Sequence, residues 1–286
     1  MEALRASYGE TSSDSEIDSD PTHLPESNKS SSTLPLPPLD LLQPTNSSGA
    51  FDWSLQNNQP NRVRNFPHVE GNFALHVYIP VSIPLVPKNE LSQFLRRVTT
   101  VVPGLHVVDV DIPLNNLVHD VRKLEQVVLG REFHVSLGRT IPIRAHQRES
   151  MVGMLRQRLH SQRRYWIDFN KWEVLVNDDR TRTFLSMEVT TGGLFEIRKQ
   201  IQAVNEVYRL HNLPEFYKDP RPHISVAWAL GDISDSLKRV IEEETMRDIT
   251  NGNLSQKHIF TCKFSGISCK IGNKTFEICR VQEDQA

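Results

Sequence analysis

Short runs that alternate apolar and polar residues are separated by longer stretches with helical spacing, and this pattern starts near residue 62. In FALHVYIP, residues 73–80, Phe73, Leu75, Val77 and Ile79 share one face of a half-buried strand. His76 and Tyr78 occupy the other face and read as structural, because no serine or acid accompanies them at matching spacing. A helix over 88–99 follows, then strands over 106–112 and 132–139 and a long helix over 144–164. Strands over 165–176 and 182–190 flank the turn-forming NDDR, and a helix over 194–211 leads to a strand over 222–228. A helix over 233–246 precedes a last pair of strands, 258–271 and 274–281, bent at Gly272 and Asn273. The pattern predicts an α+β fold of antiparallel sheets flanked by helices.

Two of these strands carry the same signature. FHVSL at Phe133 and PHISVAW at Pro222 each place a histidine two residues before a serine, so His134 with Ser136, and His223 with Ser225, point the same way. Chance alone supplies about one H-x-S in a chain of 286 residues with 11 His and 24 Ser, so the setting matters more than the count. Phe133, Val135 and Leu137, like Ile224, Val226 and Trp228, continue a buried face on either side of each pair. The two histidine strands sit in separate groups of strands and helices, which suggests a two-lobed, pseudo-twofold molecule with a central groove.

Charge and composition narrow the class. The first 60 residues are rich in Ser, Pro, Asn and acids, too polar to offset ordering entropy by burial, and read as a disordered tail ahead of a folded domain over 61–286. Eight acids against Arg5 and Lys29 in the first 40 residues leave 31 basic and 27 acidic residues beyond, a net of +4 behind the whole-chain −2. The folded part can therefore face a polyanion. Residues 144–164 are the most basic stretch, six arginines against Glu149, either a solvated face above Met151, Leu155 and Leu159 or a phosphate contact. No apolar run is long enough to span a membrane and no leader pattern is present, so an intracellular protein without a membrane role is expected. Cys262, Cys269 and Cys279 lack C-x-x-C spacing and read as reduced, packed thiols.

Two imidazoles facing each other across a groove, each with a hydroxyl beside it, suit cleavage of an RNA phosphodiester. A base must take the proton of the 2′-hydroxyl and an acid must protonate the departing 5′-oxygen, and histidine does either near neutral pH. Ser136 and Ser225 would hydrogen-bond the non-bridging oxygens. No metal or other cofactor is called for, since H-E-x-x-H is absent and within each tract the histidine's companion is a serine, a weak ligand; the G-x-S-x-G of serine hydrolases is absent as well. FYKDP, residues 216–220, would bring Tyr217 to the mouth of the groove, where its ring could stack a base.

These blocks resemble a known family. Paired H-h-S-h tetrads look like the two-histidine (2H) phosphodiesterase superfamily. NRVRNFPHVEGNFALHVYIP, FHVSL, TRTFLSMEV, FYKDPRPHISVAWALGD and CKIGNKTFEI are similar, in order and spacing, to the U6 snRNA phosphodiesterase family, also called the poikiloderma-with-neutropenia family. The resemblance covers about residues 61–281. It implies a bilobal 2H phosphodiesterase fold and a nuclear, monomeric, metal-independent 3′-to-5′ exoribonuclease that trims uridines and adenosines from the 3′ end of U6 snRNA and leaves a 2′,3′-cyclic phosphate. By the same resemblance His134 is the general base, His223 the general acid, Ser136 and Ser225 the phosphate ligands and Tyr217 the base-stacking ring. Val135, Ile224, Arg221 and Pro222 are counted with the substrate-binding residues, Arg221 for a phosphate contact and Pro222 for fixing the backbone that enters the strand. Asp178 in the NDDR turn lies where the family approaches the base. Phe73, Ala74 and Leu75 stand where Trp-Ala-Thr is more usual, which leaves base preference open. A non-catalytic RNA-end-binding module and an enzyme for small cyclic phosphates are the competing readings.

Overall fold

The computed structural model describes residues 69–250 and 258–281, so the predicted acidic tail lies outside the described residues. β1 (Asn72–Ser82) keeps the predicted alternation, with Leu75, Val77, Ile79 and Val81 buried. Phe73, expected on that face, is 38% exposed at the strand's open end, against the Gly272 turn. β1 is the centre of an antiparallel sheet. β3 (Glu132–Ser136) and β4 (Ile141–Arg144) pair end to end along one edge of it, β9 (Gly266–Ile271) pairs along the other, and β10 (Lys274–Arg280) lies outside β9.

A second antiparallel sheet has the order β2 (His106–Val107), β7 (His223–Leu230), β6 (Arg182–Val189), β5 (Trp166–Val176), β8 (Phe260–Lys263). Both sheets bury their apolar faces in one continuous core that includes Leu75, Val135, Leu185 and Val226. The helices are α1 (Leu85–Val101), α2 (Val121–Leu124), α3 (Arg148–Leu159), α4 (Leu194–Leu210) and α5 (Ser234–Thr250). α4 contributes Ile197, Ile201, Val204, Val207 and Tyr208 to the core at helical spacing. α1 and α5 are joined by Arg97, which pairs with the buried carboxylates Glu244 and Asp248 at 2.6 Å each.

The fold departs from the sequence expectation at three places. The strand expected over 106–112 stops at Val107, because Asp109 and Asp111 take positive φ (69° and 57°) and fold the chain back so that Val107 N–H meets the Ile112 carbonyl. Aspartate tolerates that conformation better than most residues. The helix expected over 144–164 is shorter, Arg148–Leu159, and the β4 strand before it was not foreseen. Third, the strand expected over 258–271 is two strands. β8 joins the second sheet beside β5, and β9 joins the first beside β1.

The crossing between sheets depends on Phe264 and Gly266. Phe264 is buried, stacks on Tyr165 at 4.6 Å and donates its N–H to the Tyr165 carbonyl. Gly266 has φ +150°, and a Cβ there would collide with the Cys279 carbonyl oxygen on β10. Gly266→Ala is accordingly expected to destabilise the fold by about 1–3 kcal/mol. Urea unfolding checks this, and an unchanged midpoint would mean that the crossover accepts a side chain.

Candidate active site

Both histidine strands lie where the two sheets approach one another. β2 covers only the far half of β7, at Ala227 and Trp228, and the near half, from His223, lies beside β3. Arg131, just before β3, reaches across: Nη2 donates to the Ser225 carbonyl (3.0 Å) and Nη1 pairs with Asp109 (2.8 Å), while the guanidinium lies over the Phe133 ring at 4.2 Å. The predicted alternation holds in both tetrads. Phe133, Val135, Ile224 and Val226 face the core, and His134, Ser136, His223 and Ser225 are partly exposed on the opposite side.

The two imidazoles have different surroundings. His134 ionises below its ordinary value, first because it is buried, and then because the charges of Arg131, His223 and Lys270 oppose a second positive charge, with Asp109 acting the other way. His223 is thus close enough to His134 to influence its protonation. His223 is also lowered by burial, but the Arg221 carbonyl and the Glu188 carboxylate favour its charged form, against the Arg221 guanidinium. Its Nδ1 lies 2.7 Å from the Arg221 carbonyl oxygen, which can only accept, so Nδ1 carries a hydrogen and Nε2 is left for substrate.

His76 and Tyr78, expected to be structural, belong to this site. His76 Nε2 is 3.0 Å from Ser136 Oγ, its ring meets His134 edge-on at 4.8 Å, and it stacks on Tyr78 at 4.9 Å. Burial, with the charges of His134 and Lys270, lowers its pKa to about 3, so it is neutral at any working pH. Its serine comes from β3 rather than from its own strand: Tyr78 pairs with Ser136 across the ladder, a register that spacing within β1 does not reveal. Lys270, directly across from His76 on β9, was likewise missed. Ser225 has a different companion, with its Oγ 3.2 Å from the hydroxyl of Ser186 on β6.

The remaining expected residues divide. Tyr217 is 45% exposed, with the Arg139 guanidinium 4.1 Å from its ring centre and its hydroxyl donating to Asp178 (3.3 Å), which also pairs with Arg139 (3.1 Å). Tyr217 and Asp178, each expected to approach a base, are bonded to one another, and Arg139 lies against the Tyr217 ring. Arg221 departs from its expected phosphate role: it forms a two-pronged pair with Glu188 (2.8 and 2.7 Å) and a further one with Glu173 (2.7 Å), so its charge is already matched. Val135 and Ile224 are corrected too. Both side chains are fully buried and cannot touch substrate. Pro222 is buried, and its carbonyl accepts from Val189 N–H at 2.9 Å, which anchors the start of β7 to β6.

On α3, Met151, Leu155 and Leu159 form the expected apolar stripe, while Arg156 donates to the Glu277 carbonyl (3.1 Å) and Arg158 pairs with Glu206 (3.1 Å). These two arginines serve the fold. Among the described residues, no group of three or more His, Cys, Asp or Glu side chains is placed to hold a metal ion. A cavity of about 520 Å³ between β5 and α5, lined by Trp172, Ile241 and His258 among others, includes no tetrad residue.

Residues 33–279 match a family model described as HVSL, uncharacterised conserved protein, and the letters recur here as His134-Val135-Ser136-Leu137. The chain is similar to U6 snRNA phosphodiesterase 1 of Mus musculus, 30% identical over 249 residues that span 87% of this chain and 84% of that protein. It is 32% identical to U6 snRNA phosphodiesterase 1 of Danio rerio over 218 residues, 75% of this chain and 69% of that one. The solved structure of Kluyveromyces marxianus Usb1 is 12% identical with a TM-score of 0.48, covering 72% of this chain and 97% of its own.

The low pKa of His76 has a consequence for stability. In the unfolded chain the ring titrates near 6.5 and in the fold near 3, so between these values the unfolded state binds the extra proton. Stability is intact above about pH 6.5 and falls by up to about 1.4 kcal/mol for each pH unit below it. His134 and His223, also lowered, act in the same direction. His76→Gln is expected to lose less stability between pH 6 and pH 4 than the native protein, measured by urea unfolding at each pH. Equal losses would contradict the neutral, buried state of the ring.

Proposed function

The chain belongs to the HVSL family of U6 snRNA phosphodiesterases, and from that membership we propose that it is a 3′-to-5′ exoribonuclease that trims the oligouridine or adenosine 3′ end of U6 snRNA. The observation that carries this reading is the approach of β3 to β7, tied by Arg131 to the Ser225 carbonyl, which brings His134 and His223 within electrostatic reach with a serine two residues beyond each. In the proposed step His134 Nε2 or Nδ1 takes the proton of the 2′-hydroxyl next to the last linkage, and the 2′-oxygen attacks phosphorus. The bond to the 5′-oxygen of the terminal nucleoside breaks, and His223 Nε2 supplies the proton to that oxygen. The products are a released nucleoside and a 2′,3′-cyclic phosphate on the shortened RNA, with no metal or other cofactor taking part.

The assignment of base and acid is supported by the surroundings. Burial favours the neutral form at both rings; at His134 the charges of Arg131, His223 and Lys270 add to it against Asp109, as a base needs, whereas at His223 a carbonyl and Glu188 work back toward the imidazolium that an acid needs. In this reading Ser136 and Ser225 would donate to the non-bridging oxygens, and Lys270, across from His76, would offset the charge gathering there. The half-exposed ring of Tyr217 would stack the terminal base, worth about 1–3 kcal/mol whichever base is present. Such a substrate implies work in the nucleus, and the same reading takes the protein as a monomer with no membrane role; no helix among the described residues is long and apolar enough to cross a membrane.

Full-length protein with a 3′-oligouridine RNA in EDTA tests the proposal. Stepwise shortening is expected, with His134→Ala and His223→Ala each lowering the rate by about 10²-fold or more. Mass spectrometry should find a 2′,3′-cyclic phosphate on the product. Binding without shortening would favour an RNA-end-binding module, and faster opening of small cyclic phosphates than of RNA would favour an enzyme for those.

Because both histidines ionise below their ordinary value of 6.5, kcat/KM is expected to rise with pH as His134 loses its proton and to fall as His223 does. Its maximum should lie below pH 6.5. A rate climbing steadily to about pH 9 would remove histidine acid catalysis from the mechanism.

A further inference from the structure

A serine hydroxyl carries one hydrogen. If Ser136 donates it to His76 Nε2, 3.0 Å away, only oxygen lone pairs face the groove, and these repel the anionic oxygen of a phosphate. If Nε2 carries the hydrogen instead, it donates to Oγ, and the serine's own hydrogen is turned outward as a donor. A neutral imidazole has one ring hydrogen, so the choice of nitrogen decides which arrangement holds.

The ring is fixed in place for this purpose. His76 is on β1, the central strand of its sheet, stacked on Tyr78 at 4.9 Å and 26°, and meets His134 edge-on at 4.8 Å and 86°. The cation Lys270 faces it from β9 across the ladder. Ser225, by contrast, leans on Ser186, whose hydroxyl can rotate and either donate or accept. The two phosphate-facing serines therefore have unequal support, a rigid aromatic donor on one wall and a freely turning hydroxyl on the other.

We propose that His76 is a positioning residue that donates from Nε2 to Ser136 Oγ and thereby turns the Ser136 hydrogen toward a non-bridging oxygen of the substrate phosphate. This rests on the phosphodiesterase reading above. It adds a third histidine to the reaction, one that neither gives nor takes a proton. His76 acts through Ser136 alone, so its loss and the loss of that hydroxyl should count once, not twice.

The experiment compares His76→Phe, which keeps a ring without nitrogen, His76→Gln, whose amide reaches the Nε2 position with a donor, Ser136→Ala, and the His76→Phe/Ser136→Ala pair. On 3′-oligouridine RNA, His76→Phe is expected to lower kcat by about ten- to a hundredfold with a much smaller change in KM. His76→Gln should recover most of that loss, and the double variant should be no slower than Ser136→Ala. A double variant slower by the product of the two single losses, or no recovery by Gln, overturns the proposal.

A second measurement needs no turnover. Nitrogen-15 NMR of histidine-labelled native protein with inorganic phosphate should find the hydrogen of His76 on Nε2, and a hydrogen on Nδ1 instead overturns the proposal even if the variants fail to fold. Absence of trimming by the native protein would count against the phosphodiesterase reading, while the NMR result would still decide the tautomer.

Discussion

Arg131 holds the two halves of the site to one another. A guanidinium with only 14% of its side chain exposed is tolerated because Asp109 balances its charge and the Ser225 carbonyl takes another of its hydrogens. Burial works against that charge, and the Asp109 partner works for it. The consequence is geometric. A residue three positions before His134 in sequence is bonded to the backbone of the residue two positions after His223, so the spacing of the imidazoles follows from a single side chain spanning two sheets. The unusual backbone at Asp109 and Asp111 belongs to the same arrangement, since that turn delivers the carboxylate.

The walls of the groove are electrically unlike. The first sheet presents His76, His134 and Lys270, with Arg131 nearby, and no carboxylate but Asp109 enters the balance at His134. The second presents Glu173 and Glu188, already matched by Arg221 and Lys171. Glu132 also lies on the first wall, in phase with His134, so Lys270 is the cation there that could offset a bound anion, while the second wall can stabilise an imidazolium. In the proposed mechanism two near-identical tetrads would take different roles from their neighbours, in the way that paired carboxylates of one enzyme part company when their environments differ.

What the chain disclosed by itself was local. The strands around His134 and His223, the helices near 88, 194 and 233, and the outward direction of all four tetrad side chains follow from period and composition, because each is settled by residues a few positions apart. What stayed hidden depends on register. His76 looked like an ordinary strand histidine since its serine is 60 residues away, and Arg221 looked like a phosphate ligand since Glu173 and Glu188 lie on strands that nothing near it announces. The break after Phe264 was missed for another reason: its trace is a slip of phase, with buried positions at Phe260, Phe264 and Gly266 and then at Ile267, Cys269 and Ile271, and one such slip reads equally well as a bulge in a single strand. Val135 and Ile224 were overcounted because membership of a motif does not make every letter of it a contact.

The change of partners between β8 and β9 places a condition on how the molecule is made. The sheet begun by β1 is completed only by β9 and β10, so the first strand leaves the ribosome roughly 190 residues before the one that flanks it. Until then β1 has an open edge. A nascent or prematurely terminated chain lacking residues beyond Gly266 would carry both histidine tetrads yet display an unfinished sheet, the kind of surface that chaperones retain and quality control degrades.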